Sequence, residues 1–412
     1  MDNKTQSSSS MTTTSVFARS YQRVRKLCNL KNSASATESI KSLSDLCLAQ
    51  AARREHHYRD NALPEALLKA FAVEPLTSGD ARFVGREEPL QRLSVVIERW
   101  RAGHSSMLAV TGPQGCGLSS FLRQIERDCS SSDEFCYHQL TNRPYDTDNS
   151  LQMLTEIIGC KQPVKTIEEL LEYLRQLPPK VFVIDNGHLL SSRVMSAHTA
   201  IRVFSSVMVA SQPRHLWVLG CEEFAWRRLI YIHRAERYFN DLIELDMLSA
   251  AELNQCIAIR EQMSGVTFDS TLTSGGSDLP DVLEKAFVTL YKLSNGKPDL
   301  AFFYYLRSLQ LNRESQRMER LSLEALDFNA LKSLLSEELF TLAEIAVHGR
   351  MTIDEHCALF RSSHEESWLL LEHLYQQCLL DRIEDSDNMA YRLMPLYSEI
   401  ISHHLTNANY LY

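Results

Sequence analysis

The sequence predicts an α/β fold built on a parallel sheet, and three observations carry that expectation. Leu108 to Ser120, LAVTGPQGCGLSS, is an apolar strand that breaks into a Gly-rich turn and then starts a helix. Lys180 to Asp185, KVFVID, is a second apolar run, ending in an acid, as strands buried on both faces do. Around these, strand-like runs alternate with helical periodicity, which calls for parallel strands with helices layered on the sheet.

Gly112, Gly115 and Gly117 let the first turn close tightly with its N–H groups pointing inward, a nest for phosphate oxygens ahead of a helix. The P-loop pattern G-x-x-x-x-G-K-[ST] is met at Gly112, Gly117 and Ser119, but the lysine position holds Leu118. The cradle is present without its fixed charge.

Composition narrows the class. With 412 residues, 44% of them hydrophobic and 23% charged, the chain suits a soluble protein of two to three domains. A net charge of −9 gives no global attraction to nucleic acid or anionic membrane. Ten cysteines are scattered without a C-x-x-C pair, which excludes a zinc ribbon or dithiol motif and fits reduced thiols. The N-terminus lacks the apolar core of a signal peptide, and no run approaches the ~18 apolar residues of a membrane helix. A cytoplasmic protein is the expectation.

Taken in order, residues 1–14 are a polar, low-complexity tail expected to be disordered. Residues 15–80 form a helical N-terminal arm. Within it, 17–31 is basic and amphipathic, suited to an ordinary helical arm, an acidic partner or peripheral membrane contact; a second helix spans 37–57. Residues 81–248 are the α/β core. It begins with the Gly85-Arg86-Glu87 box and a helix carrying Leu90, Leu93, Val96 and Ile97. Strands are expected at 107–110, 134–140, 180–185, 215–220 and 243–248, and helices at 119–125, 149–159, 166–177 and 196–211. Capping boxes open helices at Thr166/Glu169 and at Ser249/Glu252. Residues 249–316 read as a helical lid. In 317–412, helices at 338–347, 352–360 and 365–377 precede strands at 379–383 and 390–393, the winged-helix arrangement.

This order of parts resembles the AAA+/STAND superfamily of P-loop ATPases, with an initiator-like layout, and the tail is similar to bacterial ATP-binding proteins of that type. The words that match are FAWRRL (224–229), LSAAEL (248–253), SGVTF (264–268), LSNGKPDLAFFYYLRSL (293–309) and HGRMTIDE (348–355). The resemblance covers about Phe83 to Leu411 and implies a P-loop NTPase core with a helical lid and a C-terminal winged helix. It implies nucleotide contacts at Gly112, Gly115, Cys116, Gly117, Leu118, Ser119, Ser120 and Asp185, with Ser119 and Asp185 on the Mg2+ side. The family's Walker A lysine is Leu118 here, and the acid after the Walker B aspartate is Asn186, which can orient a water but cannot take its proton. The sensor 1 position falls near Cys221, and the lid arginine is replaced by Asp299. Arg86, Arg227 and Arg228 are candidate substitutes, the last two towards a neighbouring subunit. His188 reads as a histidine without catalytic role.

A charge-assisted phosphate hydrogen bond is worth roughly 1.5–3 kcal/mol. Losing two of them weakens ATP by about two to four decades. The expectation is weak ATP or ADP binding with Mg2+, or none, and little or no hydrolysis by the chain alone. Residues 317–412 carry 7 Lys and Arg against 16 Asp and Glu, so a duplex-reading winged helix is not expected. Three functions follow: a scaffold or switch subunit working through a protein partner or a homo-oligomer, an ATPase completed in trans in an oligomer, and an initiator-type DNA-binding regulator.

Overall fold

The computed structural model of the chain describes residues 63–411, apart from 130, 132, 163, 191–197, 213, 269–278, 313–316, 321–322, 324–328 and 385–388. The tail 1–14, the basic helix 17–31, the helix 37–57 and residues 385–388 between the last two expected strands lie outside the described residues. Of the N-terminal arm, the described part contributes α1 (Glu65–Ala70), which is followed by α2 (Glu87–Arg101).

The core is a five-stranded parallel sheet of β1 (Met107–Gly112), β2 (Phe135–Gln139), β3 (Val181–Asp185), β4 (Leu216–Glu222) and β5 (Asp241–Glu244), ordered β2-β3-β4-β1-β5. All of β1 and β3 and the first six residues of β4 are buried, so helices must cover both faces. Side chains alternate between those faces. Leu108, Val110, Val183 and Val218 meet α2 and α3 (Leu118–Gln124) through Leu93, Ile97, Phe121 and Leu122. Met107, Phe182 and Trp217 meet α4 (Thr147–Ile158), α5 (Ile167–Gln176), α6 (His198–Ser211) and α7 (Glu223–His233).

Three details depart from the sequence-based expectation. Strand β5 pairs with β1 from Leu108↔Asp241 to Thr111↔Glu244, earlier than 243–248, because the Asp241 carboxylate accepts the Ser106 hydroxyl at 2.9 Å and pairs with Arg99. The α5 box is half formed: Thr166 accepts the Glu169 N–H, while the Glu169 carboxylate accepts the N–H of Lys165, one residue before the cap. The lid helices α8 (Ala250–Ser264), α9 (Leu279–Ser294) and α10 (Pro298–Arg307) end in a hairpin, β6 (Leu309–Asn312) with β7 (Arg317–Arg320), where the end of the lid was expected to be helical. The Ser249/Glu252 box on α8 is complete.

The C-terminal part has the expected winged-helix arrangement. Helices α11 (Ser336–His348), α12 (Ile353–Phe360) and α13 (His364–Gln376) precede β9 (Leu380–Glu384) and β10 (Met389–Leu393). A short β8 (Met351–Thr352) adds to β10, giving an antiparallel sheet β8-β10-β9, and α14 (Ser398–Asn407) closes the chain. Among the described residues, no helix is long and apolar enough to cross a membrane.

This part docks on the core through buried charge. Arg143 Nε stands 3.1 Å from Glu355 Oε1, with side chains 3% and 12% exposed, and Arg143 also donates to the carbonyls of His348 and Arg350. Arg228 on α7 meets Glu344 on α11 at 3.7 Å, and Gly349 lies so close to His188 that a methyl group there would stand 2.4 Å from the ring. Removing one partner of a buried pair costs about 3–5 kcal/mol, and Glu355 keeps the Tyr145 hydroxyl and the Thr352 N–H, which puts this pair at the lower end. Arg143→Ala should lower stability by roughly that amount in urea denaturation, with little dependence on salt. A loss under about 1 kcal/mol would mean that the pair is effectively solvated.

Candidate functional site

The Gly-rich turn leaves the carboxyl end of β1, and its two inner glycines take backbone angles that side chains disfavour: Gly115 has φ +86° and Gly117 φ +92°. Gly117 caps α3 with no side-chain hydrogen bond. The loop is braced from outside. Arg86, 8% exposed, donates from Nη2 to the Cys116 carbonyl at 2.8 Å. Arg86 therefore holds the shape of the loop. The Gly85-Arg86 turn is in turn seated by the lid: the Arg86 N–H donates to Glu252 Oε1, and a methyl group at Gly85 would collide with that carboxylate.

Each sequence-predicted residue has a definite place. Gly112, Gly115, Gly117, Leu118, Ser119, Ser120 and Asp185 lie on or beside one cavity at this loop, all but Gly112 directly lining it. Cys116 also lines it, yet its thiol is buried under Gly112 and burial pushes it up to about 12, so it is inert at neutral pH. The Ser120 hydroxyl accepts the Leu76 N–H at 3.0 Å. Gln124 likewise holds the backbone at Thr77 and Gly79, so α3 pins residues 72–80 as one wall of the cavity.

Asp185 ends β3 and is 1% exposed. Its Oδ2 accepts the Tyr137 hydroxyl at 2.6 Å and its Oδ1 accepts the Asn186 N–H at 2.8 Å. Burial and the neighbouring carboxylate push the Tyr137 phenol up, so it remains a donor. Asn186 sits at φ +60°, and its amide donates to the Leu140 carbonyl at 2.9 Å. That side chain ties β3 to the end of β2.

The cavity measures about 270 Å3, near the lower end for ligand pockets. Pro75, Val84, Leu248 and Phe302 line it with apolar surface, and Arg82, Arg86 and Arg260 also border it. Arg260 is 4% exposed and lies 4.5 Å over the Phe302 ring; its Nε finds no hydrogen-bond partner among the described residues. His188 also borders the cavity. Burial and the nearby Arg143 and Arg350 lower its pKa to about 3, which keeps it neutral.

The remaining arginines stand apart. Arg227 is 54% exposed and pairs with Glu223 on its own helix, whereas Arg228 is taken up by Glu344. Two charged residues that the sequence did not single out are at the site. Cys221, expected near the sensor 1 position, is fully buried, and the next residue, Glu222, is the one that borders the cavity. Glu222 pairs across from Gly112, and Lys297, the residue before α10, packs against Gly115. Neither stands in a local pattern; only the strand register and the lid packing bring them in.

Glu222 is half-buried at the cavity edge. Burial raises its carboxyl to about 7, Lys297 opposes the rise, and Asp185 adds to it. With the folded pKa above the ordinary 4.5, the folded state holds the proton through that window, and this contribution to stability is lost as pH rises from about 4.5 to about 7. Glu222→Gln should remove the slope. Urea melts across the window should show the variant gaining on wild type by roughly 2 kcal/mol towards neutral pH. A constant difference would refute the buried-acid assignment.

No protein-family model matches the sequence, and no curated protein matches it. Solved structures do align with most of the chain. The Aeropyrum pernix ORC2 protein in its ADPNP–ADP complexes is 15% identical, with 82% of this chain and 96% of that chain covered, at a TM-score of 0.45. Cdc6p from Pyrobaculum aerophilum is 14% identical over 83% of this chain and 98% of that one, at 0.40. The RuvB Holliday junction branch migration motor of Thermotoga maritima is 14% identical over 79% and 97%, at 0.38.

Proposed function

We propose that this chain is a nucleotide-responsive switch of the AAA+/STAND kind, binding ATP or ADP at the Gly112–Ser120 loop and acting through a protein partner or further copies of itself. The observation that supports it is convergence: the loop, Ser119, Asp185, apolar side chains and three arginines all border one cavity. Mg2+ fits the donor set. Ser119 offers a hydroxyl and Asp185 a carboxylate, both hard oxygen donors. Tyr137 and Asn186 each use one Asp185 oxygen, and a carboxylate has about four acceptor sites, so room for a further contact remains. When bound, the ion would neutralise phosphate charge.

Turnover by the isolated chain is not part of this proposal. Phosphoryl transfer depends on placed charge. Leu118 carries none, and the Asn186 amide is committed to the Leu140 carbonyl. A second reading, hydrolysis completed by a neighbouring copy, draws on the exposure of Arg227. The C-terminal domain is taken as a protein-facing module. Its helix α13 opens with exposed Glu365 and Glu366, and the domain's acid excess repels phosphate backbones.

Calorimetric titration with ATP and Mg2+ tests the proposal. Wild type should show saturable binding, Asp185→Ala should lose about tenfold or more, and Leu118→Lys should gain about tenfold, each the worth of one charge-assisted contact. Phosphate release should stay at background. Absence of binding to wild type would overturn the nucleotide assignment, and steady release by the isolated chain would overturn the switch without turnover.

A further inference from the structure

The Gly-rich loop lacks a lysine of its own, yet a lysine lies against it. Lys297 caps α10 and is wholly buried. A methyl group at Gly115, on the loop, would stand 2.5 Å from Lys297 Cε and 3.2 Å from its Nζ, so the glycine makes room for this side chain. The ammonium donates to the Pro395 carbonyl and the Ser398 hydroxyl of the C-terminal domain and stands 3.8 Å from Asp299. It is also near enough to Glu222 to oppose that carboxyl's upward shift.

A buried ammonium costs several kcal/mol unless neighbours offset it. Here the neighbours include a carbonyl, a hydroxyl and, at 3.8 Å, the Asp299 carboxylate, and the Gly-rich loop lies against the stem at Gly115. Phosphate oxygens in the loop that Lys297 packs against would add a full counter-charge. We propose that Lys297 supplies, from the lid, the positive charge that position 118 lacks, and so reads the outer phosphates of a nucleotide in the Gly112–Ser119 loop. This rests on the nucleotide assignment above. It makes the lysine a binding residue shared between the loop and the C-terminal domain, because the same ammonium holds Pro395 and Ser398.

The test is calorimetry with ATP and with adenosine, in Mg2+, on wild type, Lys297→Met and the double variant Leu118→Lys/Lys297→Met. Thermal melts check folding, and Lys297→Gln, which keeps a donor for Pro395, replaces the Met variant if that does not fold. ATP affinity should fall about tenfold or more in Lys297→Met, the equivalent of about 1.4 kcal/mol, while adenosine binding stays unchanged. The double variant should recover ATP binding to within about threefold of wild type, since the charge returns from position 118. Equal ATP affinity in wild type and Lys297→Met would overturn the inference and leave the nucleotide assignment standing. So would equal losses for ATP and adenosine, or no recovery in the double variant, because either marks a purely structural lysine. A wild type that binds neither ligand would remove the nucleotide assignment and this inference with it.

Discussion

Burial of β1, β3 and β4 on both faces is the constraint from which the rest follows. Once helices cover each side of the sheet, ligands are left only the edge where the strands end, at the carboxyl end of a parallel sheet. What the strands end in therefore defines the site. Here β1 ends in Gly112, β4 in Glu222 and β3 in Asp185, and the register Gly112↔Glu222 sets two of them level. The missing side chain at Gly220 completes the arrangement: a methyl group there would meet Leu122 at 2.3 Å and Asp185 Oδ1 at 3.4 Å.

The second organising feature is where the charges went. Position 118 is apolar and partly packed in the α2–α3 face of the core. Cations come instead from outside the loop: Arg86 onto the Cys116 carbonyl, Arg260 over Phe302, and Lys297 behind Gly115. Each belongs to an element distant in sequence from the loop. The same economy holds the C-terminal domain, where Arg143–Glu355 and Arg228–Glu344 join it to the core with little solvent access. Buried charges of this kind tolerate few arrangements, because an unmatched one is expensive. The lid, the loop and the C-terminal domain are thus placed relative to one another by electrostatic demands as much as by apolar contact.

This division explains what the sequence disclosed. The central strands, the Gly-rich turn, Asp185 and the three C-terminal helices were legible because each is written in consecutive residues: an unbroken apolar run, a glycine spacing, a 3.6-residue period. Lys297 and Glu222 were not. Lys297 stands in the connection Ser294 to Pro298, where a lysine usually means an exposed turn, and Glu222 in the pair Glu222-Glu223 reads as the acidic opening of α7. Their roles arise from register and lid packing, which no window of neighbouring residues encodes. The hairpin β6–β7 was hidden for a related reason: four-residue strands are too short for period to separate them from the end of a helix.

Leu118 in the Gly-rich turn and Asn186 at the end of β3, the two uncharged positions of the site, are structural fits. Asn186 takes a left-handed backbone at φ +60°, which asparagine tolerates better than glutamate, and its amide donates to the Leu140 carbonyl. A carboxylate in that place would turn a donor into an acceptor facing another acceptor, one residue from Asp185, and both the hydrogen bond and the local charge balance would suffer. Leu118 likewise has packing partners on the α2–α3 face that an ammonium would not satisfy. Both positions therefore have packing or hydrogen bonding that a charged side chain would forfeit. The same site keeps Asp185 doubly hydrogen-bonded, holds Gly115 and Gly117 at positive φ and brings a buried lysine to the loop. That combination is the physical ground for the proposed binding switch without turnover.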